Sequence, residues 1–151
     1  DSWRALEELV SQGKIRSIGV SNFEVKDLKK LKDIAKVPPS AIQNFFTPFY
    51  QDKATRQYCK ENNIKYMGYS TLGGMYVREG FDKNPVQNNF ELQRIGGVFD
   101  ATVSQVVLKW ALEQDVLVIP QSRTPNHIRT NFHLDHVQLD SKQMAYFDSL
   151  D

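Results

Sequence analysis

Four short β-type runs separated by amphipathic helical stretches constrain this chain more than any other feature. The runs are Ile15 to Val20, Ala41 to Phe46, Ile64 to Tyr69 and Val116 to Pro120. Each is brief and mostly apolar, as expected of a strand covered on both faces. Between them, Trp3 to Gln12 places Trp3, Leu6, Leu9 and Val10 along one stripe, and Glu24 to Lys36 repeats this with Val25, Leu28, Leu31, Ile34 and Ala35. Asp52 to Asn62 opens on an expected Asp52 cap and stops at two asparagines. Thr102 to Glu113 carries an apolar stripe around Trp110, read as core. Strands alternating with helices predict parallel βα units. The segment 73–100, rich in Gly, Asn and Gln, reads as one long loop.

Two α/β architectures accommodate such a pattern. An open doubly wound sheet would advertise a nucleotide with a Gly-rich turn after its first strand. Here Ser21, Asn22 and Phe23 follow that strand instead. A partial TIM (β/α)8 barrel of four βα units, with parallel strands, is the better reading. A complete barrel needs roughly 250 residues, and this chain has 151. The chain also begins without Met, so it is read as cut from something longer.

Composition narrows function by exclusion. Nineteen basic against eighteen acidic residues leave a formal charge of +1, and acidic residues interrupt the densest basic stretch, Lys26 to Lys36. That is a solvated helix face, and no nucleic-acid partner is expected. No apolar run approaches the roughly 20 residues that span a bilayer, so no membrane partner is expected either. The single cysteine, Cys59, fits a reducing, cytoplasmic setting. His127, His133 and His136 match no zinc spacing, so no metal is expected.

Polar residues gather where strands end, the reactive face of a βα barrel. Ser21 and Asn22 follow the first run, Gln43 sits within the second, Tyr69 and Ser70 close the third, and Gln121, Ser122 and Arg123 follow the fourth. Amides at Asn22 and Gln43 offer paired donors and acceptors suited to a primary carboxamide, and Tyr69 can stack on a flat heterocycle. Thr124 followed by Pro125 predicts a short helix, whose start beside Arg123 makes a phosphate cradle. Each residue also has a plainer reading. Ser21 and Asn22 could cap a helix, Gln43 could be an interior amide, Tyr69 could be core, and Arg123 and His127 could be surface. Tyr76, Phe81 and Phe90 fit either a substrate pocket or simple loop packing.

Five stretches in order resemble one family. They are Gly13 to Phe23 (GKIRSIGVSNF), Ile42 to Phe49, Tyr69 to Gly73 (YSTLG), Ser104 to Trp110 (SQVVLKW), and Val118 to Ser122 continuing through Asn131 and Phe132. Jointly they are similar to the aldo-keto reductase motifs from the fifth barrel strand to the eighth. The resemblance implies a C-terminal half-barrel over residues 1–151 of an enzyme that interconverts aldehydes or ketones with alcohols. It implies NADP(H) as cofactor, NAD(H) being the alternative, and a small carbonyl compound as substrate. It assigns Ser21, Asn22 and Gln43 to the nicotinamide carboxamide and Tyr69 to the ring. Backbone around Ser70, Leu72 and Gly74 is assigned to the pyrophosphate, and Ser122, Arg123 and Asn131 to the adenosine end.

Three departures accompany the match. The family's phosphate-binding lysine is Gln121 and its arginine is His127, both of which normally meet the 2′-phosphate; Arg123 is the candidate substitute. Phe45 and Thr47 replace a Glu and a His. The family's catalytic Asp, Tyr, Lys and His belong to the other half of the barrel, so no catalytic residue is expected in this stretch, and alone it should be inactive. A dinucleotide-binding or interaction half-barrel without catalysis is the alternative, and an unrelated βα-barrel piece a weaker one.

Overall fold

The computed structural model describes residues 2–151. The alternation of runs becomes α1 (Ser2–Ser11), β1 (Gly19–Ser21), α2 (Val25–Ile34), β2 (Ala41–Phe45), α3 (Lys53–Glu61), β3 (Lys65–Tyr69), α4 (Gly74–Arg78), α5 (Phe90–Val98), α6 (Val103–Glu113), β4 (Leu117–Val118), α7 (Pro125–Phe132) and α8 (Ser141–Asp148). All four strands lie in one parallel sheet, in the order β1-β2-β3-β4. β1 and β2 pair with Gly19 opposite Ala41 and Ser21 opposite Gln43. Gly19 is required there, because a Cβ would stand 2.6 Å from the Ala41 carbonyl oxygen. Along β2 and β3 buried residues alternate with more exposed ones, so these two strands are covered fully on one face only, and not on both as their composition implied, while β1 and β4 hold no buried residue.

The chain divides into two units, one running to Asn44 and resuming over Asp52–Met67, the other comprising Phe45–Gln51 and Gly68–Asp151. In the first, Leu28, Leu31, Ile42, Cys59, Ile64 and Tyr66 are buried. Its interior is fastened by hydrogen bonds. Asn44 Nδ2 donates to the Phe23 carbonyl and to Asp52 Oδ2, each at 2.9 Å, and the Tyr66 hydroxyl donates to the same Asp52 oxygen at 2.7 Å. Asp52 was expected to cap α3 with its side chain. It occupies the cap position with φ 47°, but its side chain makes no cap bond; the two interior donors claim the carboxylate instead. Burial, with Asp52 nearby, pushes the Cys59 thiol up to about 11.

In the second unit Trp110 is the centre. Its ring stacks on Phe46 at 5.0 Å and 8° and on Phe147 at 4.7 Å and 7°. Val86, Leu92, Ile95, Val106 and Val107 are among the other buried residues of this unit. Thr102 and Gln105 form a reciprocal capping box at the start of α6. The segment 73–100 departs from the single loop expected: it holds α4 and α5. Asn89 caps α5 by accepting from the Leu92 N–H at 2.9 Å, and Leu92 and Ile95 anchor that helix in the core. Burial of those two side chains outweighs the Gly and Asn content on which the loop reading rested.

Candidate functional site

In the first unit the turn after β1 sets the local geometry. Asn22 adopts φ 57°, a left-handed conformation that asparagine tolerates better than most residues. One acceptor serves the turn twice: the Gln43 carbonyl receives the Asn22 N–H at 3.1 Å and the Ser21 hydroxyl at 2.7 Å. Ser21 and Asn22 are exposed and Gln43 is half-buried. The Gln43 amide Nε2 lies 3.5 Å from Met67 Sδ, a weak contact. The three residues expected to act together are thus brought together, and the Ser21 hydroxyl already serves the strand backbone.

The second unit places a turn after β3 that is tied at several points. Ser70 has φ 58° and Gly73 φ 79°. The Gly73 N–H donates to the Ser70 carbonyl at 2.7 Å, and Ser70 Oγ accepts from the Met75 N–H at 2.9 Å. Asn84 Nδ2 donates to the Leu72 carbonyl at 2.8 Å. A Cβ at Gly73 would collide with Asn84 and Val86, so only glycine fits this packed turn. Beside it lies a cavity of about 370 Å³, lined by Tyr69, Ser70, Leu72, Gly74, Arg78 and Gln121 among others. Five expected site residues therefore meet at one place, although Gln121 comes from beyond β4.

A second cavity of about 320 Å³ is lined by Ser122 and Asn131 together with apolar residues such as Leu112, Ile128 and Phe132. Arg123 and His127 are exposed and line neither cavity. Thr124 precedes α7, with Pro125 at its start as expected, but makes no side-chain cap bond. Ser122 Oγ accepts from the Thr124 N–H at 3.1 Å instead.

Tyr69 is half-buried and meets Phe45 edge-on at 5.8 Å. Phe45 also touches Tyr50 and Tyr76, and the Tyr76 hydroxyl is 3.0 Å from Thr47 Oγ1. The two residues that depart from the expected Glu and His thus share one aromatic cluster. Tyr76 packs against Phe81 at 5.3 Å, whereas Phe90 is 79% exposed. Arg78 was not anticipated at the cavity. It lies in the segment read as loop, where no helical register was assigned that could have aimed it. Among the described residues no cluster of His, Cys, Asp or Glu could hold a metal ion. No helix there is long and apolar enough to cross a membrane.

The model of the aldo/keto reductase family matches residues 1–151. The chain belongs to that family. It is 35% identical to the glyoxal reductase of Bacillus subtilis, over 99% of this chain and 51% of the relative. It is 31% identical to the 9,11-endoperoxide prostaglandin H2 reductase of Trypanosoma cruzi, over 99% of this chain and 51% of the relative. The chain spans about half the length of the curated relatives it matches. Among solved structures, the aldose reductase of Giardia lamblia superposes with a TM-score of 0.88 at 32% identity, over 98% of this chain and 48% of the other. An aldo-keto reductase complexed with NADPH superposes with a TM-score of 0.89 at 28% identity, over 99% of this chain and 46% of the other. The α/β arrangement of this chain is therefore the one found in aldo-keto reductase barrels.

Proposed function

We propose that the whole protein is an NADP(H)-dependent reductase that interconverts small aldehydes or ketones with alcohols in the cytoplasm. Residues 1–151 hold the cofactor as the C-terminal half of the barrel. The observation that carries this reading is the cavity in which Tyr69, Ser70, Leu72, Gly74 and Gln121 meet. Its donor set fits a dinucleotide: an aromatic ring, a hydroxyl, a carboxamide and an uncrowded glycine backbone, Gly74 having nothing within 4 Å of where a Cβ would stand. In the proposed assignment Ser21, Asn22 and Gln43 hold the nicotinamide carboxamide and Tyr69 lies against the ring. Ser70, Leu72 and Gly74 pass the pyrophosphate, and Gln121, Ser122, Arg123, His127 and Asn131 attend the adenosine end. The preference for NADP(H) over NAD(H) draws on relatives such as an NADPH-dependent D-xylose reductase.

The bound dinucleotide would supply the hydride. The acid and its activating lysine, with the Asp and His of the family set, are assigned to residues outside this stretch, so residues 1–151 alone are expected to be inactive. The part played by this chain is to orient the cofactor, which lowers the barrier by removing freedom before reaction.

Titration of the full-length protein with NADPH and NADH, following nicotinamide fluorescence, tests the assignment. Tight NADPH binding that weakens about tenfold in Asn22→Ala and in Gln43→Ala is expected, the scale of a lost hydrogen bond to a bound polar group. Binding of neither nucleotide by the full-length protein would refute it, and preferential NADH binding would overturn the NADP(H) assignment.

A further inference from the structure

The geometry points to Arg78 as the cation that meets the pyrophosphate of the dinucleotide, supplied by helix α4 rather than by the end of the last strand. The inference rests on the cofactor reading above. The lysine expected from the resemblance at position 121 is a glutamine, which leaves that wall of the cavity uncharged. Gln121 and Arg78 nevertheless line the same cavity of about 370 Å³. Among the described residues lining it, Arg78 alone is charged and no carboxylate is present. A space with one cation, hydroxyls at Ser70 and Thr71 and no acid accepts an anion. Arg78 has no ion pair among the described residues, so its guanidinium keeps its donors available.

Placement follows from the turn that precedes it. Asn84 clamps the Leu72 carbonyl and Ser70 Oγ holds the Met75 N–H, which ties down the start of α4, the five-residue helix that ends on Arg78. Arg123, the substitute expected from sequence, lines neither cavity. The cation of this cavity therefore sits on a helix in the segment after β3 and not at a strand end. A purely structural role is the competing explanation, since a basic side chain in a helix's last turn favours the helix dipole.

Equilibrium titration of the full-length protein with NADPH and with NADH separates these roles, comparing the unaltered chain with R78Q and R78K. Both nucleotides carry the pyrophosphate, so R78Q is expected to weaken both by a similar factor, about tenfold, and R78K to recover part of the loss. Unchanged affinity in R78Q, with or without a lower melting temperature, overturns the assignment. Loss confined to NADPH also overturns it, because the guanidinium would then serve the 2′-phosphate. If the unaltered protein binds neither nucleotide, the cofactor reading itself fails and this inference falls with it.

Discussion

The two units of the molecule hold their interiors by different physical means. The first converges donors on one carboxylate oxygen of Asp52, approached by Asn44 and Tyr66. The second stacks three rings, with Trp110 between Phe46 and Phe147. Among the described residues each leaves one buried polar side-chain atom without a partner, Asn44 Oδ1 in the first and Trp110 Nε1 in the second. Hydrogen bonds fix direction but exchange against bonds to water, so their net contribution is modest. Stacked rings are less directional and remove a large apolar area from water. A region that must hold a strand-end turn in place gains from the first device, and one that must carry many helices gains from the second.

The largest effect should come from the ring stack. Trp110→Ala is expected to cost about 3–5 kcal/mol, measured as the shift in urea unfolding of the full-length protein. Trp110→Phe should cost less than half as much, because it keeps a ring in the stack and removes the unpaired N–H. Equal costs for the two variants would show that the stack is not the source. Tyr66→Phe, which deletes one donor to Asp52, should cost about 1–2 kcal/mol; a loss as large as that of Trp110→Ala would erase the contrast between the units. Thr102→Ala, which opens the capping box of α6, should cost about 1 kcal/mol, again by urea unfolding.

The smallest effect concerns Glu7, whose carboxylate accepts the Lys36 and Val37 N–H groups at 2.7 and 2.8 Å. The Val37 N–H, more than any other contact, holds the Glu7 carboxyl below its ordinary value of 4.5. A depressed folded value means that the stabilisation is complete above the unfolded value and disappears as pH falls through the folded one. Glu7→Gln should therefore flatten the acid side of the stability profile below pH 4.5 and leave its slope near neutrality unchanged. An unaltered acid slope would exclude Glu7 as a contributor.

The sequence pattern located all four strands but overstated their length, by one residue in β2 and in β3 and by more in β1 and β4. The first ladder begins at Gly19 and not at Ile15, and the last is only Leu117–Val118, since apolar character marks burial without marking which residues find a pairing partner. Helix α5 was legible in principle, with Asn89 as cap and Leu92 and Ile95 three apart. The glycines at 96 and 97 obscured it. Helix α8 likewise carries a reciprocal Asp140–Gln143 box that was passed over. At the candidate site, strand-end residues were placed by periodicity and motif order. Arg78 was missed because its position depends on a helix within the misread segment.

The alternation of the four strands with their helices and the polar strand ends were written in the chain, because each follows from local backbone preference and the spacing of apolar residues. Three things came only from packing. These are the meeting of Tyr69 with Gln121 around one cavity, the clasp of Trp110 between Phe46 and Phe147, and the diversion of Asp52 from its helix to Asn44 and Tyr66. The partners in the first two are separated by dozens of residues, and a neighbour that distant competes with local bonding only once burial has brought it within reach.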